Sequence, residues 1–238
     1  MQQGVEEAYS FSSTFSSCKL IALTQASLVL CSSPACAEVV GVTMHPSRKY
    51  FVTGSADASW CFYDLETASC LKQVVDDSVK EAYTTLQFHP DGLILGTGTD
   101  KNMIRIWEVK QQKNVASFAD HTAPVTSLAF SENGYHMASA AADGVKLWDL
   151  RKLKVIKTLT PYEDSACNAV AFDYSGQYLA VGGADARIYG QKQDWSVVRN
   201  FPDMPKKGVM SLKFGPDAKS LLVGASDHNL RIFSLPTQ

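Results

Sequence analysis

The chain has 238 residues, 45% of them hydrophobic and 19% charged, with a formal net charge of −2 and a pI near 6.2. That is enough apolar material for a folded core, and a repeat array of this size can be one domain. Its basic residues occur only in short stretches such as Arg151-Lys152-Leu153-Lys154 and Lys206-Lys207, which argues against a surface for a nucleic-acid backbone.

Residues 1–36 are a divergent leader. Within it, Leu20 to Cys31 (LIALTQASLVLC) is apolar, follows Lys19 and precedes Ala35-Cys36-Ala37, the outline of a secretory leader with a small-residue cleavage site. The residues before Lys19 carry Glu6 and Glu7 and no basic residue, and the apolar run is too short to span a bilayer. The stretch Lys19 to Cys31 is therefore read as strand-forming. The six cysteines, Cys18, Cys31, Cys36, Cys61, Cys70 and Cys167, include no C-x-x-C pair. Buried free thiols are expected, with no metal site and no cofactor.

From residue 39 the chain repeats itself. The first copy runs Val39 to Met44, His45-Pro46, Tyr50 to Ser55, Asp57, then Trp60-Cys61-Phe62-Tyr63-Asp64. The second runs Thr84 to Phe88, His89-Pro90-Asp91-Gly92, Leu93 to Thr99, Asp100, then Ile104-Arg105-Ile106-Trp107-Glu108. The third runs Val125 to Phe130, Glu132-Asn133-Gly134, Tyr135 to Ala140, Asp143, then Val145-Lys146-Leu147-Trp148-Asp149. The fourth has Ala169 to Phe172, Tyr174-Ser175-Gly176, Gln177 to Gly183, Asp185 and Arg187-Ile188-Tyr189. The fifth has Met210 to Phe214, Pro216-Asp217, Ser220 to Ser226, Asp227 and Leu230 to Phe233.

Two columns keep step. Met44, Phe88, Phe130, Phe172 and Phe214 are spaced 44, 42, 42 and 42 residues apart, and Asp57, Asp100, Asp143, Asp185 and Asp227 are spaced 43, 43, 42 and 42. That period is the ~40–45 residues of a four-stranded propeller blade. Each copy reads as short β-branched and aromatic runs separated by turn residues. The second run of each copy is rich in small residues, as in Gly96-Thr97-Gly98 and Ala138-Ser139-Ala140, which lets neighbouring blades approach closely. The expected fold is all-β, a β-propeller with five four-stranded blades over residues 37–238, at about 39–76, 82–119, 124–160, 166–203 and 208–236. The fifth copy stops after its third strand, so its outer strand must come from elsewhere, and Lys19 to Cys31 is the candidate.

Val145 to Asp149 and Ile104 to Glu108 resemble the Trp-Asp ends of WD repeats. The third copy is the fullest match, with His121, Ser139, Asp143 and Trp148 in the positions of the WD hydrogen-bond quartet. The resemblance implies a side-chain chain within that blade, each net bond worth about 1 kcal/mol and each stranded member costing about 1–3. The other copies keep the turn aspartates Asp57, Asp100, Asp185 and Asp227 but lack the histidine, so weaker networks are expected there.

A more specific resemblance runs from about Glu38 to Pro236. Phe88 to Thr99 (FHPDGLILGTGT), Phe130 to Tyr135 and Val145 to Lys154 (VKLWDLRKLK) are similar to the pre-mRNA-processing factor 19 family. That family joins a U-box, a coiled coil and a seven-bladed WD propeller in a spliceosome-associated ubiquitin ligase, linked also to DNA repair. The resemblance covers the propeller only: five of seven blades, a truncated ring, without the U-box or the coiled-coil oligomerisation element. It implies a nuclear scaffold that binds splicing-complex subunits and ubiquitination substrates. Alternatives are a ligase role carried through the longer protein, an unrelated WD adaptor, or a secreted propeller.

Catalytic readings fare poorly. Gly96 to Lys101 lacks the G-x-x-x-x-G-K-[ST] pattern, and Asp120-His121 and Asp227-His228 have no Ser in a nucleophile elbow. No catalytic residue is assigned, and His45 and His89 read as turn residues. Binding is expected on the loops that enter each first strand. These contain Asp76, Asp77 and Lys80, then Ala119 to Pro124, then Glu163 and Asp164, then Lys206 and Lys207. Their mixed charge suits protein partners; neither nucleic acid nor membrane is expected.

Overall fold

Short runs of β-branched and aromatic residues, closely spaced between turns, satisfy their backbone hydrogen bonds by pairing with the next run in sequence. The computed structural model describes residues 19–24, 27–32, 37–75, 81–163, 165–202, 204, 208–216 and 218–234. Among them the only helical element is a 3-10 turn at Gln191–Gln193, and every strand pairing is antiparallel.

Strands β1 (Lys19–Thr24) and β2 (Ser27–Ser32) pair with each other, Thr24 opposite Ser27 and Lys19 opposite Ser32. The segment read as one strand is thus a hairpin of two. A two-residue connection folds the segment back on itself, so its backbone groups find partners locally.

Blade 1 is β3 (Val39–Met44), β4 (Tyr50–Ser55), β5 (Ser59–Asp64) and β6 (Cys70–Val75). Blade 2 is β7 (Tyr83–Phe88), β8 (Ile94–Thr99), β9 (Ile104–Glu108) and β10 (Lys113–Phe118). Blade 3 is β11 (Val125–Phe130), β12 (His136–Ala141), β13 (Gly144–Asp149) and β14 (Lys154–Leu159). Blade 4 is β15 (Ala169–Phe172), β16 (Tyr178–Gly182), β17 (Ala186–Gly190) and β18 (Ser196–Phe201). Blade 5 has three strands among the described residues, β19 (Val209–Phe214), β20 (Ser220–Ala225) and β21 (Leu230–Ser234), where the repeat length predicts four. The chain divides into two compact units, residues 1–83 with the hairpin and blade 1, and residues 84–238 with the later blades.

The turn joining first and second strands needs a left-handed residue. Gly92, Gly134 and Gly176 supply it, and Arg48 and Ala218 adopt positive φ at the same place in blades 1 and 5. Two of the thiols expected to be buried, Cys61 and Cys167, are so; Cys70 is exposed because β6 is an outer strand.

In the second unit the core lies between blades. Ile104, Ile106 and Phe118 of blade 2 pack on Val125, Leu128, Phe130 and Trp148 of blade 3. Ala138, Val145 and Leu147 of blade 3 pack on Cys167, Val170, Leu179 and Tyr189 of blade 4, and Ala180 and Ala186 pack on Val209, Leu212 and Leu221 of blade 5. We call the side of a blade that meets its successor the trailing face and the opposite side the leading face. The second-strand small residues sit on trailing faces. A β-carbon on Gly96 would lie 2.9 Å from the Phe130 ring, and one on Gly98 2.7 Å from Val125.

A polar latch recurs along the first strands. The Thr84 hydroxyl donates to the Val125 carbonyl, the Thr126 hydroxyl to that of Cys167 (2.6 Å), and the Asn168 amide to that of Val209 (2.9 Å). Each latch joins residues 41 apart in sequence. Thr126→Val keeps the shape but removes the donor. It is expected to lower unfolding free energy by about 1 kcal/mol, read as a shift of the urea midpoint at unchanged slope.

Candidate functional site

One edge of each blade carries the turn between its second and third strands and the loop entering its first strand. Blade 3 shows what holds that edge. The Trp148 indole N–H donates to Ser139 Oγ (2.8 Å), Ser139 lies 2.6 Å from His121 Nε2, and His121 Nδ1 lies 2.6 Å from Asp143 Oδ1. A carboxylate can only accept, so Nδ1 carries the proton and the Ser139 hydroxyl donates to Nε2. The second Asp143 oxygen accepts from the Thr122 amide (2.9 Å), with the Lys146 ammonium 3.9 Å away. The chain of bonds thus ties the third strand, the second strand, the incoming loop and the turn together.

Ser139, His121 and Asp143 have the order and spacing of a Ser-His-Asp triad, which raises the question of nucleophilic chemistry. Two observations answer it. Ser139 is fully buried, and its oxygen already accepts from the Trp148 indole, so no substrate carbonyl can reach it. The arrangement is a rigid brace, and its chemistry is hydrogen bonding alone.

Burial lowers the His121 pKa from 6.5, outweighing the opposing hydrogen bond and charge of Asp143. At Asp143 burial pushes upward, but the Thr122 amide, the His121 ring and Lys146 prevail and hold it below 3.8. Unfolded chains take up the His121 proton near pH 6.5, whereas the folded ring resists it. Its contribution is therefore full above that pH and lost as pH falls through the lower folded value. His136, also lowered chiefly by burial, acts in the same direction, and Asp143 follows at more acid pH. Urea midpoints are expected to drop between pH 7.5 and 5.5, and His121→Asn should flatten that drop. A dependence as steep as that of the unmodified chain would refute the assignment to His121.

The other turn aspartates are held differently. Asp57 accepts from the Ser59 amide (3.0 Å) and hydroxyl. In blade 2 the Trp107 indole donates to Thr97 Oγ1 (3.0 Å), half of the blade 3 chain, while Asp100 Oδ1 is buried without a hydrogen bond among the described residues. In blade 4 Arg187 forks onto Asp185 (2.9 and 3.1 Å) and stacks 4.9 Å from the Tyr162 ring, whose hydroxyl donates to the Asp185 carbonyl (2.7 Å). In blade 5 Arg231 forks onto Asp227 (3.0 and 2.6 Å), which holds that carboxyl well below the usual range. Thr97, Tyr162, Arg187 and Arg231 escaped the sequence reading. The arginines had a local signal, a cation two or four residues after each aspartate.

Of the residues singled out on the incoming loops, Glu163 is exposed beside Tyr162. Asp76, Asp77, Lys80, Asp164, Lys206 and Lys207 lie outside the described residues. On the opposite edge His89 is more than a turn residue: buried, with Nε2 3.0 Å from the Gly134 carbonyl and its ring edge-on to Phe130. Among the described residues no group of three or more His, Cys, Asp or Glu could hold a metal ion.

Comparison with known proteins agrees with this architecture. Residues 24–189 match the β-propeller family described as nucleolar protein 10-like, N-terminal domain, and residues 195–234 match the WD domain, G-beta repeat. The chain is 55% identical over 205 residues to pre-mRNA-processing factor 19 of Oryza sativa subsp. japonica, covering 84% of this chain. It is 51% identical over 204 residues to pre-mRNA-processing factor 19 homolog 2 of Arabidopsis thaliana, and 44% identical over 199 to the Mus musculus protein, covering 84% and 83% of this chain. The chain spans 38–39% of the length of these curated relatives.

Proposed function

Since the chain belongs to the pre-mRNA-processing factor 19 family through its WD-repeat propeller, we propose that it is a protein-binding scaffold of a splicing assembly. The observation that carries this reading is the sealed Trp148–Ser139–His121–Asp143 chain. The groups that could do chemistry are committed to bracing the blade, so what the edge offers a partner is shape and charge on rigid supports. Its partners are proteins, splicing-complex subunits first, and it acts in the nucleus.

In the ubiquitin-ligase and DNA-repair roles that the family resemblance implies, this chain presents substrates and partners and leaves transfer to another domain. Tagged chain incubated with nuclear extract should enrich splicing-complex subunits over an unrelated propeller of equal size, and a fluorescent fusion should concentrate in the nucleus. Equal recovery on both baits would overturn the splicing reading. Self-ubiquitination by the purified chain with the activating and conjugating enzymes would overturn the non-catalytic one.

A further inference from the structure

Third strands carry a cation in one column. Arg105, Lys146, Arg187 and Arg231 occupy it, and the last three lie 3.9, 2.9 and 2.6 Å from the turn aspartate of their own blade. Blade 1 has Cys61 there instead, and its Asp57 is held by Ser59. The same blade places a second thiol, Cys70, on its outer strand, and no other blade contains two cysteines.

Strand register brings the two thiols together. Tyr63 lies opposite Cys70 and Cys61 opposite Gln73. Side chains alternate along a strand, so Cys61, Tyr63 and Cys70 share one face of the sheet. Across that face the Cys61 thiol is hydrogen-bonded to Cys70 and to Tyr63. The two differ in access: Cys61 is 1% exposed, whereas Cys70 is open to solvent. That openness belongs to the position in the blade. Val197 holds it in blade 4 and is 47% exposed although blade 3 packs against blade 4. A bulge adds Leu71 to the outer strand beside Cys70, so this edge strand has the slack to bring one sulfur onto the other.

We propose that Cys61 and Cys70 form a reversible redox site that closes to a disulfide when hydrogen peroxide reaches blade 1. Peroxide meets Cys70 first. The Cys70 sulfur attacks one peroxide oxygen, the O–O bond breaks, and water leaves with the thiol proton, giving a sulfenic acid. The Cys61 sulfur then attacks the Cys70 sulfur. The S–S bond forms as the S–O bond breaks, and the departing hydroxyl takes the Cys61 proton as a second water. Two thiols are oxidised and one peroxide is reduced, and a thiol reductant restores the pair. Burial pushes the Cys61 thiol up to about 12, so it is spared direct oxidation and keeps the proton that the second step needs. The disulfide ties β6 to β5 and stands or falls separately from the splicing reading.

The test treats the whole chain with hydrogen peroxide and maps its peptides by mass spectrometry without reduction. The unmodified chain should yield a linked peptide pair carrying Cys61 and Cys70, about 2 Da lighter than the two free peptides and separated again by dithiothreitol. Cys70→Ser, at an exposed position, should leave Cys61 a free thiol at the same dose. Cys61→Ala should stop after the first step, with Cys70 captured as a sulfenic acid by dimedone. If circular dichroism shows Cys61→Ala unfolded, the unmodified chain is oxidised folded and in urea, and the link should form at least about tenfold faster in the folded chain. Cys70 accumulating as sulfenic or sulfinic acid while Cys61 stays a thiol would overturn the inference. So would Cys70 pairing with a cysteine outside blade 1, or a link formed no faster folded than unfolded.

Discussion

Trp148→Ala is expected to lower the stability of the second unit by about 3–5 kcal/mol, the range for deleting a large buried aromatic whose site cannot collapse. The ring is 1% exposed and lies 4.6 Å from the Phe118 ring of the preceding blade. Two losses combine. The change opens a cavity at the junction of blades 2 and 3, and it strips Ser139 Oγ of the indole donor that completes the brace. Trp148→Phe separates them, since a phenyl ring keeps part of the packing but no N–H; it should cost about 1–3 kcal/mol. A double-mutant cycle pairing Trp148→Phe with His121→Leu should show coupling above about 0.5 kcal/mol, as expected of members of one network. Additive losses would mean that the bonds through Ser139 act independently, and a Trp148→Ala loss under about 1 kcal/mol would mean that the junction repacks.

Gly182→Val should cost about 2–3 kcal/mol, the upper part of the range for overpacking a filled core. The added β-carbon would sit 2.6 Å from Val209 Cγ1 and 3.0 Å from Leu212 Cδ1, both on the leading face of blade 5. Val209 is fully buried and cannot swing aside. Strand backbone tolerates valine, so the loss reports the distance between blades and not local strain. Gly224→Val is the control. Its added carbon meets only the Ser211 hydroxyl at 2.6 Å, a small group able to rotate, and the cost should stay below about 1 kcal/mol. Equal losses at both glycines would remove the steric explanation.

Much of this was legible in one dimension. The spacing of Phe88, Phe130, Phe172 and Phe214 announces a blade because each copy must bury the same side chain against the same neighbour. The Asp column marks turns because a short carboxylate can cap the amides of a tight reversal, as Asp57 does for Ser59. For blade 3, the resemblance to WD repeats names His121, Ser139, Asp143 and Trp148, and their bonds stay within one blade.

What depended on neighbouring blades was hidden. Thr84, Thr126 and Asn168 are not all one residue type and bond carbonyls 41 positions away, so nothing in their local sequence marks them as one column. His89 looked like a turn residue until the Gly134 carbonyl of the next blade lay against it. Lys19 to Cys31 reads as a single strand because apolar patterning carries no information about which strand will be its partner; the structure reverses it between Thr24 and Ser27. By itself, then, the sequence determined the repeat, the strands, the turn aspartates and the one complete brace, all set by contacts within a few tens of residues. Tertiary structure alone decided the latches and the contact of His89 with the Gly134 carbonyl, because each depends on which surfaces meet once the blades are stacked.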